Sequence, residues 1–216
     1  MKKITTAIVM ILCWVLCGCG SPAIRTTWKV QYNIPRTYNK ILVVAITRQD
    51  NIALRKQIED DITTDLSQMG YQAISALDEY GAKGLSASGE EDTYIKLYNN
   101  GIDAVFTIAL IDKSKETYEQ QRKNFRYPAK YYYNRIWNYQ KIQPDSSIAV
   151  DPINSEYFWE SILFDLKTLE PQTTIQTGSF TPDLTESKSR EFQKKIIRKM
   201  VKEKILKNQN KPFKAF

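Results

Sequence analysis

Ile41-Leu42-Val43-Val44-Ala45-Ile46 is a short, continuous apolar run, the pattern of a strand buried on both faces. Such a strand belongs in the middle of a sheet, and the segment after it decides how the sheet is built. Asp50 or Asn51 can cap a helix in which Leu54, Ile58, Ile62, Leu66 and Met69 recur every three or four positions, with Gly70 as its C-terminal stop. Tyr71 to Leu77 then reads as a second strand. Strand, helix and strand in so short a span imply a right-handed parallel crossover, which commits the chain to an α/β architecture.

The pattern continues downstream. Gly81, Gly84 and Gly89 fall in a loop, with neither the spacing of a dinucleotide fingerprint nor a Gly-Lys-Ser ending. Ser88 can cap a second helix from Glu90 to Asn99, ended by Gly101, and Asp103 opens an apolar strand, Ala104 to Ile111, that should again be central. Tyr157 to Leu166 and Gln172 to Phe180 read as an antiparallel hairpin joined at Thr168-Leu169-Glu170-Pro171. A last helix from about Thr185 to Lys207 carries one apolar stripe of Phe192, Ile196, Ile197, Met200, Val201 and Ile205. The expected domain, residues 39–208, is α/β (α+β): a single mixed β-sheet with a βαβαβ start, a β-hairpin, and a C-terminal amphipathic helix packed on the sheet. Residues 113–156 form a Tyr-rich insertion in it, and 209–216 a tail.

Composition removes several chemistries. The chain has no histidine, so a Ser-His-Asp triad, a Cys-His dyad and a His-rich metal site cannot be built. All three cysteines, Cys13, Cys17 and Cys19, lie near the amino end, so the body holds no internal disulfide and must be stabilised by its core. Apolar residues at 42% and charged residues at 25% are those of an ordinary globular protein. No metal and no cofactor is expected. Glu59-Asp60-Asp61 on the first helix reads as a solvated face, and Asp112, Asp165 and Asp183 are scattered over separate elements, so no general acid and base pair is recognisable.

The first residues read as a leader. Met1-Lys2-Lys3 is a positive n-region, and Ile4 to Leu16 is apolar apart from Thr5 and Thr6. That run falls short of the roughly 20 apolar residues a spanning helix needs and fits a secretory h-region of about 7–15. Leu16-Cys17-Gly18-Cys19 resembles the lipobox of bacterial lipoproteins. The resemblance implies cleavage of signal peptide 1–18 between Gly18 and Cys19, diacylglycerol on the Cys19 thiol, and a lipidated tether over 19–38 that becomes extended before the domain. Cys17 departs from the commoner Ala, Ser or Gly, which leaves plain small-residue cleavage as the alternative. Gly20 stands where an Asp would retain an enteric lipoprotein at the inner membrane, so the implied address is the outer membrane, facing the periplasm.

Two stretches are candidates for contact with a partner. Between Lys113 and Glu156, Phe125, Tyr127, Tyr131, Tyr133, Trp137 and Tyr139 share odd positions and so one face of an extended chain, interrupted by Arg135 and Lys141. Such a face either covers the sheet or recognises a protein or glycan, for which Tyr127, Tyr131, Tyr133, Arg135, Trp137 and Tyr139 are the candidate residues. The basic terminal helix either turns its lysines to solvent or lies on anionic headgroups. A net charge of +7, with Lys2 and Lys3 in the leader, is a mild excess, and an envelope address removes nucleic acid as a partner.

The order strand, helix, strand, helix, strand, hairpin and terminal helix behind a lipobox resembles small periplasmic lipoproteins whose fold is akin to the TolB amino-terminal and curli-secretion (CsgG-type) domains. The likeness covers about residues 39–207, and its most specific piece is Ile41 to Tyr71. The chain lacks the two membrane-spanning hairpins of the curli pore. The expected function is a non-enzymatic, lipid-anchored envelope protein that binds another envelope component or assembles with itself. The alternatives are an accessory subunit of a transport or secretion complex, and a glycan- or lipid-acting enzyme using carboxylates.

Overall fold

The computed structural model describes residues 24–29, 37–48, 51–82, 90–113 and 155–210. Its strands are β1 (Arg25–Lys29), β2 (Lys40–Ile46), β3 (Gln72–Ser75), β4 (Ala104–Asp112), β5 (Tyr157–Asp165) and β6 (Glu170–Gln176). The helices are α1 (Ile52–Gln68), α2 (Ala76–Tyr80), α3 (Glu90–Asn99) and α4 (Thr185–Lys202). The strands form one six-stranded mixed sheet in the order β1-β6-β5-β4-β2-β3. β2 is parallel to β3 and β4, and the other pairings are antiparallel. This is the mixed α/β sheet with a βαβαβ start, a hairpin and a packed C-terminal helix that the sequence pattern predicts.

Alternation along the central strands divides the core in two. Ile41, Val43, Ala45, Phe106, Ile108, Leu110, Trp159 and Leu163 point to one face, where Leu54, Ile58, Ile62 and Leu66 of α1 and Phe192, Ile196 and Met200 of α4 cover them. Leu42, Val44, Val105, Ile111, Phe158, Ile162 and Phe164 point to the other, with Ala76, Leu97 of α3 and Ile102. β2 and β4 carry apolar residues on both faces because helices lie on both, which is why they read as unbroken apolar runs.

Element ends follow local chemistry. The Asn51 side chain accepts the Leu54 N–H at 3.0 Å and caps α1, and Gly70 follows the helix at φ +98°. β3 stops at Ser75, two residues short of the predicted strand end, because the Ser75 hydroxyl accepts the Asp78 N–H at 3.2 Å and starts α2. The hairpin turn lies one or two residues earlier than the Pro171 signal suggests. Leu169 takes φ +57°, and Pro171 sits within β6 next to a register shift at Leu163/Phe164, a place where a missing N–H is tolerated.

α4 ends at Lys202, short of Lys207. The Lys204 N–H bonds the Val201 carbonyl and the Ile205 N–H bonds the Met200 carbonyl, with Lys204 at φ +61°, a Schellman closure that turns Ile205 and Leu206 into the core. The chain beyond it is stitched to the start of β3. Tyr71 Oη donates to the Lys207 carbonyl at 2.7 Å, and the Gln209 N–H reaches the Met69 carbonyl at 2.8 Å.

Candidate functional site

β2, β3 and β4 run in one direction and end at Ile46, Ser75 and Asp112, so their carboxyl ends share one edge of the sheet. In open parallel sheets this edge is where ligands bind. Three sets of groups are brought to it: a buried carboxylate, the start of α1, and both ends of the segment between β4 and β5.

The carboxylate is Glu59, at 0% exposure. One oxygen accepts the Ala45 N–H at 3.0 Å and the Arg55 Nε–H at 3.1 Å. The other accepts the Ser75 hydroxyl at 2.6 Å and the Leu77 N–H at 2.7 Å. A carboxylate has about four lone-pair positions, and four donors occupy them. The group therefore has no acceptor left for a substrate proton; it ties the ends of β2 and β3 to α1. Glu59 corrects the expected solvated face. Asp61 is exposed and Asp60 half-buried, its carboxylate paired with Lys56, whereas Glu59 faces inward beside the row of Ile58 and Ile62. The sign that could have revealed it is Arg55 four residues earlier, which places a cation on the same row of the helix.

The other buried acids are also engaged. Asp165 accepts the Lys167 and Thr168 N–H groups at 2.8 and 3.0 Å and the Tyr38 hydroxyl at 3.5 Å. Glu160 accepts Gln176 Nε2 at 2.6 Å. Asp112 lies half-buried at the end of β4, and Asp183 is exposed ahead of α4. These carboxyls sit on separate elements, as their positions in the chain suggest. Among the described residues no group of three or more His, Cys, Asp or Glu side chains could hold a metal ion, and no helix is long and apolar enough to cross a membrane.

The two ends of the Tyr-rich segment meet at a defined neck. β4 and β5 pair up to Asp112 opposite Tyr157, and the Lys113 N–H continues the ladder to the Glu156 carbonyl at 2.9 Å. The Lys113 ammonium and the Glu156 carboxylate pair across the same rung. That hydrogen bond, and then the charge of Lys113, hold the Glu156 carboxyl below its ordinary value. Beneath the neck, burial and then the charge of Asp112 push the Tyr157 phenol up. The candidate partner-binding residues Tyr127, Tyr131, Tyr133, Arg135, Trp137 and Tyr139 lie outside the described residues, as do Gly18 and Cys19.

No protein-family model matches the chain, and no curated protein matches it. Solved structures that resemble it include a single-residue variant of the PelC dodecamer and the PelC dodecamer, both from Paraburkholderia phytofirmans. Sequence identities are 8% and 9%, with TM-scores of 0.39 and 0.38. Each match covers 80% of this chain, and 96% and 95% of the PelC chains.

Proposed function

We propose that this protein is a non-enzymatic lipoprotein of the bacterial envelope, anchored through lipid on Cys19 to the outer membrane and facing the periplasm. It binds another envelope component, a protein or a glycan, or a second copy of itself, through residues 113–156. The observation that carries this reading is the neck. Both ends of the aromatic and basic segment, Lys113 and Glu156, are held on one rung at the end of two central strands, so a rigid sheet fixes where the segment begins and ends. Tyr, Trp and Arg are the residues that dominate contact sites, and that segment concentrates them. The saturation of Glu59 also supports a binding role over acid–base chemistry at the same edge.

The test combines lipid labelling with crosslinking in cells. Full-length protein should incorporate a clickable fatty acid, and Cys19→Ala should abolish both the labelling and membrane association. Crosslinking followed by mass spectrometry should recover a partner on residues 113–156. Ala at Tyr131, Tyr133 and Trp137 together should reduce capture while leaving the melting temperature in place. Unchanged labelling of the Cys19 variant, or loss of fold in the triple variant, would overturn the reading.

A further inference from the structure

We infer that the carboxyl edge of the sheet is the surface that this domain lays against a phospholipid bilayer. The inference rests on lipid attachment at Cys19 as proposed above, and adds which end of the molecule meets the membrane.

The direction of β1 fixes where the anchored end of the chain enters the domain. Arg25 stands opposite Gln176, the last residue of β6, and Gln176 stands opposite Glu160 near the start of β5. β5 starts where β4 ends, so the amino end of β1 lies toward the carboxyl edge and Lys29 toward the amino edge. Ile24, just ahead of β1, is partly buried against the core cluster under α1 and α4, which pins the chain there. The stretch from Cys19 to Ile24 can extend no further than about 18 Å, at the maximum reach per residue of an extended chain.

That reach separates the two ends of the sheet. From Gln176 back to the hairpin turn at Leu169, β6 covers roughly 23 Å at the usual rise per residue. A lipid on Cys19 therefore reaches the carboxyl edge and its flanks, and falls short of the turn at the amino edge. The same edge carries exposed apolar side chains: Ile52, first residue of α1, at 51% exposure, and Leu184, just ahead of α4, at 39%. Lys113 and Glu156 lie there too, which puts the two ends of the Tyr-rich segment on the membrane side of the domain. The amino edge, with Tyr38, Tyr71 and Gln209, would face away from the bilayer.

A depth measurement tests this. With Cys13 and Cys17 removed with the leader and the Cys19 sulfur carrying lipid, the mature chain offers a clean background for single cysteines. Ile52→Cys and Leu184→Cys report on the carboxyl edge. Tyr98→Cys and Leu169→Cys report on the amino edge, where those residues are 61% and 37% exposed. Each variant of the full-length lipidated protein is labelled with a fluorophore. It is then placed in vesicles of phosphatidylethanolamine and phosphatidylglycerol containing doxyl-labelled phosphatidylcholine. Fluorescence should be lost at positions 52 and 184 and retained at 98 and 169. Loss at 98 or 169, or at none of the four while intact mass shows diacylglycerol on Cys19, overturns the orientation alone. Intact mass without lipid on Cys19 overturns the anchor, and the orientation with it.

Discussion

Replacing Glu59 by Ala would leave the buried Ala45 N–H and the half-buried Leu77 N–H without an acceptor, and would strip the Arg55 guanidinium of its carboxylate. A buried donor deprived of its partner costs about 1–3 kcal/mol, and breaking a buried ion pair by deleting one member costs about 3–5 kcal/mol. The terms share one side chain and do not add, and Arg55 is only partly buried, so the expected loss is about 2–4 kcal/mol. That is a large share of a domain stability of about 5–15 kcal/mol. Glu59→Gln is the informative companion. Its carbonyl keeps the Ala45 and Arg55 bonds, and the Ser75 hydroxyl can turn to accept from the new amide. The Leu77 N–H then faces a donor, so the loss should be about 1–3 kcal/mol. Urea unfolding of the detergent-solubilised protein, followed by tryptophan fluorescence, measures both, and an unchanged dependence on urea would show that the native and denatured states keep their compactness. A loss below about 1 kcal/mol for Glu59→Ala would refute the idea that this carboxylate ties α1 to the strand ends.

Two further perturbations test the packing and the neck. Gly70 has φ +98°, and a Cβ there would stand 2.9 Å from both Gln209 Cβ and Asn210 Oδ1. Gly70→Ala should therefore cost about 1–3 kcal/mol, lower Tm by about 2–4 °C per kcal/mol, and speed hydrogen exchange at the Gln209 N–H; an unshifted Tm would contradict the contact. At the neck, Lys113 lowers the Glu156 carboxyl from its ordinary value of 4.5, so the pair contributes fully above that pH and its contribution is lost as pH falls through the lower folded value. Protection of the Lys113 amide should fall in that acid window and lose this dependence in Glu156→Gln; identical profiles in the two proteins would rule the pair out as the clasp.

Much of the fold is legible in the chain because it rests on short-range patterns. The unbroken apolar run at Ile41 to Ile46 requires helices on both faces, the spacing from Leu54 to Leu66 requires a helix with one buried row, and Asn51 and Gly70 bound it. Where the apolar pattern misleads, a local backbone or polar feature outweighs it. Ser75 starts a helix two residues before the apolar pattern ends, and the positive φ of Lys204 ends α4 early without a glycine to announce it. Ser75-x-x-Asp78 is a capping spacing that could have been read.

The sequence by itself determined the types and order of the longer elements, the pairing class of the first strands, and the absence of histidine and of any thiol beyond Cys19, since each depends on residue identity or near-neighbour spacing. Only the tertiary structure decided that β1 closes the far side of the sheet, that Glu59 is buried and saturated, and that the neck and the start of β1 lie toward one edge. Those facts depend on contacts between residues far apart in the chain, such as Arg25 with Gln176 and Glu59 with Ser75. Their partners are chosen by strand register and packing, which no periodicity within a single segment encodes.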